Sequence, residues 1–411
     1  MRILALSAQV PYPPHHGKAM RDYALLSGLA RRHSVDLLCM VQDPAEAEAA
    51  APLAQDLSFQ ALPRPVHGLP RRLVALFLSR RPDLVVRTWA SSFRHRLACR
   101  LDEESPDLLL VEGLEMAAYG LWAREHLRRQ GRPALPLVLD EHNAEYLLQQ
   151  RAWEIGRRSG RSLLGAFYSR IQAGRLARFE AHACRVADGV IAVSPADRQA
   201  LLRIAPQARI RVVPNGVDTA HYAPLPPGPR EGPPWLVFSG RMDFRPNVDA
   251  VQWFCDEIWP RILAQVPQAR FRIVGRDPTP PVLALGGRPG VEVVGAVPDD
   301  RPAIGQADLY VLPMRFGGGI RFKLLQALSM ARAVLSTSLG AEGVEGLVNG
   351  EHLAIADSAG RFAERATELL GRPEVCRRLG RAGRELVLAC YDWRVLLPRF
   401  EAALAEARHG L

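Results

Sequence analysis

The stretch GGGIRFKLLQALSM, Gly317 to Met330, places Gly317, Gly318 and Gly319 ahead of a helical pattern that carries Arg321 and Lys323 at its start. Glycine lets the backbone approach a ligand closely, and a helix start offers unpaired N–H groups with a partial positive charge. Arg321 can fork onto a phosphate with two parallel hydrogen bonds, while Lys323 adds a compact point charge. This order of residue types makes a diphosphate site, with a helix expected to begin near Ile320. The alternative is a loop followed by a solvated basic helix face. VPYPPHHGKAMRDYALLSGLARRH, near the N-terminus, repeats the device with Gly17 as a turn before an amphipathic helix. Other signatures are missing. No strand-linked G-x-G-x-x-G opens a helix, and no G-x-x-x-x-G-K-[ST] occurs, which weakens dinucleotide enzymes and P-loop ATPases.

The elements that would hold such loops are short apolar runs alternating with helix-length segments, the pattern of β-α units around parallel sheets. RILALSA, SVDLLCMV, DLLLVEG, LPLVLDEHN, DGVIAVS and IRVVPNG read as strands of a first half, with helices between them at Met20 to Arg32 and Met116 to Arg129. APLPPGPREGPP, Ala223 to Pro234, continues neither helix nor central strand and marks a domain boundary. WLVFSG, RFRIVG, VEVVGAV, LYVLPM and RAVLSTS then restart the series. The expected fold is α/β: two Rossmann-like, doubly wound domains facing a central cleft, at the carboxyl ends of whose strands a ligand binds. The expected bounds are 1–214 for the first domain, 215–233 for the hinge, 234–390 for the second domain and 391–411 for a closing helix. That last segment, interrupted by Pro398, packs back at the junction.

With 411 residues, 48% of them hydrophobic, the chain can bury two sizeable cores, which excludes a disordered or fibrous protein. Cys39, Cys99, Cys184, Cys255, Cys376 and Cys390 form no Cys-x-x-Cys pair and no metal-ligand cluster, the usage of reduced cytoplasmic thiols. The apolar run in MRILALSAQV has the length of a buried strand or of a weak signal-peptide core, and we favour the strand. No apolar run approaches the roughly 18 residues of a membrane span. A formal net charge of +10 favours an anionic partner: phosphate, anionic lipid or nucleic acid. No aromatic-interleaved nucleic-acid module is seen, so nucleic acid is not expected.

Taken in order, PPHHGKAMR, VLDEHNAEY, ADGVIAVSPAD, VVPNGVDTAHYAP, FSGRMDFRPNVDAVQWF, FRIVGRDP, VEVVGAVPD and FGGGIRFKLLQALSMARAVLST resemble the family 4 glycosyltransferases of the GT-B fold across nearly the whole chain. The wording of HNAEY, RPNVDA, GGGIRFK and GAEGVEG is similar to the exopolysaccharide and exosortase-linked branch. The resemblance implies metal-independent, retaining transfer of a sugar, hexosyl or related, from a nucleotide-sugar donor to a lipid-linked or glycan acceptor. It places Gly17 at the donor phosphates or the acceptor head, and His142 beside the transferred sugar, with Asn143 and Glu145 as weaker candidates and helix capping as the alternative for Asn143. It also places Gly240 and Arg241 on the diphosphate, Gly275 in the donor site, and Gly317, Gly318, Gly319, Ile320 and Arg321 in the donor loop.

Three departures stand out. The family's lysine five residues after the arginine is Pro246 here, so Arg245 or Lys323 must supply the second charge, and we favour Lys323. The family's two donor-loop glutamates are replaced by Gly318 and Gln326. A neutral amide binds ribose hydroxyls more weakly than a carboxylate does, so reduced donor affinity is expected, with a nucleotide-sugar or glycan binding protein of little turnover as the alternative function. An Asp-x-Asp pair for a bridging metal is missing, and no metal or other cofactor is expected. Arg151 to Asp188 mixes arginines with Trp153, Phe167, Tyr168, Leu176 and Phe179 at helical spacing. That pattern suits a cytoplasmic protein resting peripherally on an anionic membrane face, or equally a helix with its apolar stripe on the core.

Overall fold

The computed structural model describes every residue except 15–16, 67–78, 80, 160–162, 227–231, 318–320 and 410–411, and gives no side-chain placement for 104, 155–159 and 163–166. The expected site residues Gly318, Gly319 and Ile320 therefore lie outside the described residues. The chain forms two compact units, Met1–Pro214 with Leu397–Leu411, and Asn215–Leu396.

The first unit is built on β1 (Arg2–Ser7), β2 (Ser34–Val41), β3 (Ser58–Pro63), β4 (Leu108–Glu112), β5 (Leu137–Glu141), β6 (Gly189–Ala192) and β7 (Ile210–Val212). They pair in parallel in the order β3-β2-β1-β4-β5-β6-β7. LLLVE and LVLDE, central in that order, carry no polar alternation and are buried throughout, as a strand covered on both faces must be. The edge strand SFQALP, half-exposed and ending in proline, carries too little apolar signal to be read as a strand from sequence. The first helix, Gly17–Ala30, starts three residues before its expected start, and the next expected helix is observed as Leu114–Arg129. The helix Trp393–His409 runs through Pro398 without ending there. Its later part belongs to this unit, where Glu401 pairs with Arg32 and Glu406 with Arg211.

The second unit follows the same plan, with β8 (Trp235–Ser239), β9 (Arg270–Val274), β10 (Val291–Gly295), β11 (Leu309–Leu312), β12 (Val334–Ser336) and β13 (Ala354–Ile355), parallel in the order β10-β9-β8-β11-β12-β13. Phe238, Phe254, Trp259 and Phe271 fill its core. Strand β13, two residues long, was not anticipated. The strand order reverses direction between β1 and β4 in one sheet and between β8 and β11 in the other, and such switch points open a crevice beyond the carboxyl ends of the strands.

Candidate functional site

At the switch point of the first sheet, the helix Gly17–Ala30 follows β1 and presents Lys18, Arg21 and Asp22, spaced to share one face. Glu112 ends β4, and Asp140 and Glu141 end β5, immediately before His142. Arg21 grips Asp140 with two bonds of 2.8 Å and donates to the carbonyls of Val213 and Pro214 at 3.0 and 3.2 Å. Both partners are fully buried. Lys18 donates to the carbonyl of Glu112 at 3.0 Å and pairs with Glu115. His142 Nε2 lies 3.3 Å from Asp22 Oδ1, 3.3 Å from Glu112 Oε2 and 3.7 Å from Asp140 Oδ2.

These distances set the charges. Burial and Lys18 push the imidazole down, but Asp22 and Asp140 outweigh them and hold His142 well above its ordinary range. That direction favours the imidazolium, which donates rather than accepts. Burial, then Asp140 and Asp22, lift the Glu112 carboxyl to about 8. Burial also lifts Asp140, yet Arg21 and then His142 hold it well below the carboxylate range. Burial followed by Glu180 and Glu145 raises Glu141 well above its usual value, and neither of its carboxyl oxygens has a hydrogen-bond partner among the described residues. Burial lifts Glu145 to about 7. The capping alternative for Asn143 is not what is found: the first amides of helix Glu145–Ser159, those of Glu145 and Tyr146, donate to Glu180 at 2.8 and 3.0 Å.

Asp22, Glu112 and His142 are, among the described residues, a group whose ligand atoms lie within 4.8 Å of one another, close enough to hold a metal ion. Drawn from three distant segments, this group leaves no trace in local spacing. His142 Nε2 lies within 3.3 Å of both acidic groups, so a cation would have to displace any proton held there.

At the switch point of the second sheet, β8 is followed by Gly240 and β9 by Gly275. Both have positive φ, and a Cβ on Gly275 would lie 1.7 Å from the Gly240 carbonyl oxygen. Only two glycines let these strand ends close on each other. A Cβ on Gly240 would in turn meet Lys323 Nζ at 2.5 Å and Asn247 Nδ2 at 2.8 Å, so the missing side chain makes room for the lysine. Lys323 Nζ donates to Asn247 Oδ1 at 2.8 Å and sits 4.2 Å from the centre of the Phe238 ring. Among the described residues it has no acidic partner. Burial, with Arg321 nearby, pushes its pKa well below the ordinary lysine range.

The helix starts at Phe322 rather than near Ile320, because Arg321 keeps extended backbone angles as its N-cap. Arg321 is buried, and a Cβ on Gly317 would meet its Nη2 at 2.8 Å. Gln326, one turn beyond Lys323, is buried as well. Arg241 is exposed and clasped by Asp243. Arg245 is a surface residue with its guanidinium 5.6 Å from the centre of the Phe316 ring. Gly17 opens the first unit's helix. The structure thus gathers Gly240, Gly275 and Lys323 at one point in the second unit and places His142 in the first. Lys18, Arg21, Asp22, Glu112, Asp140 and Asn247 escape the sequence reading. The 18-21-22 spacing after Gly17 and the polar RPN at a helix start were the available signals.

Two family descriptions match the chain: Glycosyltransferase Family 4 over residues 23–221 and Glycosyl transferases group 1 over residues 233–372. Alpha-maltose-1-phosphate synthase of Mycolicibacterium smegmatis is 27% identical over 289 residues, covering 63% of this chain and 70% of that protein. Among solved structures, sucrose-phosphate synthase from Thermosynechococcus elongatus superimposes with a TM-score of 0.71 at 18% identity, covering all of both chains. Anabaena Alr3699/HepE in complex with UDP gives a TM-score of 0.68 at 15% identity, covering 98% of this chain and all of that one, and it is also known in complex with UDP-glucose.

Proposed function

The chain belongs to the glycosyltransferases of the family 4 and group 1 type, with the GT-B fold, and from that premise we propose that it moves a sugar from a nucleotide-diphosphate donor to a lipid-linked or polysaccharide acceptor, with retention of configuration. One observation carries the donor side: Lys323 is a half-buried amine with no acidic partner among the described residues, over an aromatic ring, where β8 ends. Burying an unpaired cation is costly, and a bound diphosphate removes that cost. A structural neighbour of the same fold, Anabaena Alr3699/HepE, is in complex with UDP and with UDP-glucose, in keeping with the same donor class. Arg241 adds its charge by exchanging Asp243 for a phosphate oxygen, which costs little because exposed ion pairs are worth about 0–1 kcal/mol.

In the transfer, the bond from the anomeric carbon to the diphosphate oxygen breaks, the bond to the acceptor oxygen forms on the same face, and the acceptor proton goes to the departing phosphate. The protein's part is positioning and charge stabilisation at the leaving oxygen. His142, favoured as a cation by Asp22 and Asp140, donates to a sugar hydroxyl. Gln326 takes the ribose end of the donor site with weaker, neutral hydrogen bonds than a glutamate would make. We assign no metal to the reaction.

The deciding experiment screens UDP-, GDP- and ADP-sugars against lipid-diphosphate-sugar acceptors, with and without exhaustive EDTA. Product release that survives chelation is the expected result. Loss of activity restored by Mn²⁺ would overturn the metal-free reading and turn attention to Asp22, Glu112 and His142, while donor binding without turnover would favour a binding protein.

For the acceptor we propose a membrane-borne lipid carrier on the inner face of the cytoplasmic membrane. Phe167 is 56% exposed on helix Leu163–Val186, and Arg170 lies 5.8 Å from the centre of the Trp153 ring, whereas Leu176 and Phe179 pack into the core. Binding to phosphatidylglycerol vesicles should weaken as salt shortens the Debye length from about 10 Å at 0.1 M to about 3 Å at 1 M. Equal binding to neutral vesicles would reject that surface.

A further inference from the structure

Asn247 touches both residues assigned above to the diphosphate, the ammonium of Lys323 and the backbone of Arg241. It lies in the first turn of helix Arg245–Trp253 and is 5% exposed. Its Oδ1 accepts from Lys323 Nζ at 2.8 Å, and its Nδ2 donates to the backbone carbonyl of Arg241 at 2.8 Å. Ammonium can only donate and a carbonyl can only accept, so the amide has one orientation that serves both. Lys323 reaches this point because Gly240 has no side chain, and Arg241 is the residue after Gly240.

We infer that Asn247 is the positioning residue of the donor site: one amide ties the Lys323 ammonium to the backbone that carries Arg241, so that both cations address the same diphosphate. The inference rests on the diphosphate reading of Lys323. A neutral amide is the right tether for that task. A carboxylate in its place would hold the lysine more tightly, but would neutralise the charge the ligand needs and repel the phosphates. Asparagine fixes the position of the cation and leaves its charge unspent. Lys323 therefore faces uncharged neighbours on three sides: Phe238 from β8, Gly240 after it, and Asn247 from the next helix. The charged group beside it is Arg321, at its own helix start.

This arrangement has a pH signature. Burial, then Arg321, lowers the pKa of the free lysine, whereas a bound diphosphate favours its protonated form. Diphosphate affinity is then greatest below the free-state pKa and falls as pH rises through it. With Asn247→Asp, a carboxylate beside Nζ keeps the lysine charged to higher pH. Affinity at neutral pH drops through repulsion, but its decline with rising pH flattens.

The test is calorimetric titration of the full chain with UDP, GDP and ADP, and with each matching nucleoside, from pH 6.5 to 9. Asn247→Ala should weaken the tightest diphosphate by about ten- to a hundredfold, the scale of one hydrogen bond to a charged group, and leave nucleoside binding unchanged. Asn247→Asp, nearly the same shape, guards against a mere folding defect and should show the flattened pH slope. If Lys323→Ala abolishes diphosphate binding while Asn247→Ala leaves it intact, Asn247 is not the positioning residue and the site assignment survives. If Lys323→Ala binds diphosphate as tightly as the parent, the site assignment itself fails. An Asn247→Asp variant that keeps the parent's pH slope would reduce the residue to a helix-packing role and overturn the proposal.

Discussion

Lys323→Ala should lower turnover by about 10²–10³-fold, the usual cost of removing one donor that stabilises charge on a leaving oxygen. The same substitution should leave the melting temperature unchanged or raise it. The parent lysine is half-buried over Phe238 with no carboxylate partner among the described residues, so folding bears a desolvation cost that alanine does not. Gain of stability with loss of activity at one residue is the mark of a group kept for its ligand. Steady-state kinetics with the donor identified by screening, and thermal unfolding of both proteins, check the two halves. A variant that turns over normally would remove Lys323 from the site, and one that melts far below the parent would make it a structural residue.

Arg21→Ala should cost about 3–5 kcal/mol, because it leaves the fully buried Asp140 carboxylate with His142, 3.7 Å away, in place of its two-bonded guanidinium partner. For a unit of this size that is a fall of roughly 6–20 °C in melting temperature. The double variant Arg21→Met, Asp140→Leu should recover most of it, since a buried pair replaced by apolar groups is often neutral. A single variant that melts within a degree or two of the parent would show that the pair does not hold the first unit together. The pH dependence has a definite sign. Asp140 is lowered below its unfolded value, so its contribution is fully present above the ordinary carboxylate pKa and is lost only as pH falls through the depressed one. His142 is raised, so its contribution is fully present below about pH 6.5, its unfolded value, and is lost as pH rises through the elevated one. Unfolding followed from pH 2 to 9 separates the two.

Period-two and buried-run signals made the central strands legible, because LLLVE and LVLDE have no polar face to confuse them. Strand β3 was not legible, since SFQALP owes its state to pairing with β2 rather than to its own composition. Within the sites, glycines were the best guides. Gly240 and Gly275 mark close backbone approach, a constraint that acts on single residues and so survives in the sequence. The carboxylates around His142 come from the ends of β4 and β5 and from the helix after β1, and only the sheet order brings positions 22, 112, 140 and 142 together. Charge state was hidden for the same reason: nothing in HNAEY says that its histidine is a cation. Arg241 was named, but its hold on Asp243, two residues on, was missed although both lie in one short motif.

The division of the chain has a consequence for its synthesis. The first unit is completed by the segment Leu397–Leu411, with the whole second unit lying between its two parts. The fit is close: a Cβ on Gly28 would lie 2.7 Å from Leu397 Cδ2, and one on Gly189 would lie 2.9 Å from Ala407 Cβ. At ribosomal speeds of about 5–20 residues per second, roughly 10–40 seconds pass between emergence of Pro214 and emergence of Leu397. Throughout that interval the nascent first unit carries an uncovered apolar face, while the second unit is still emerging, its last residue, Leu396, appearing immediately before Leu397. The half begun first therefore cannot be sealed until the whole of the other half has been made.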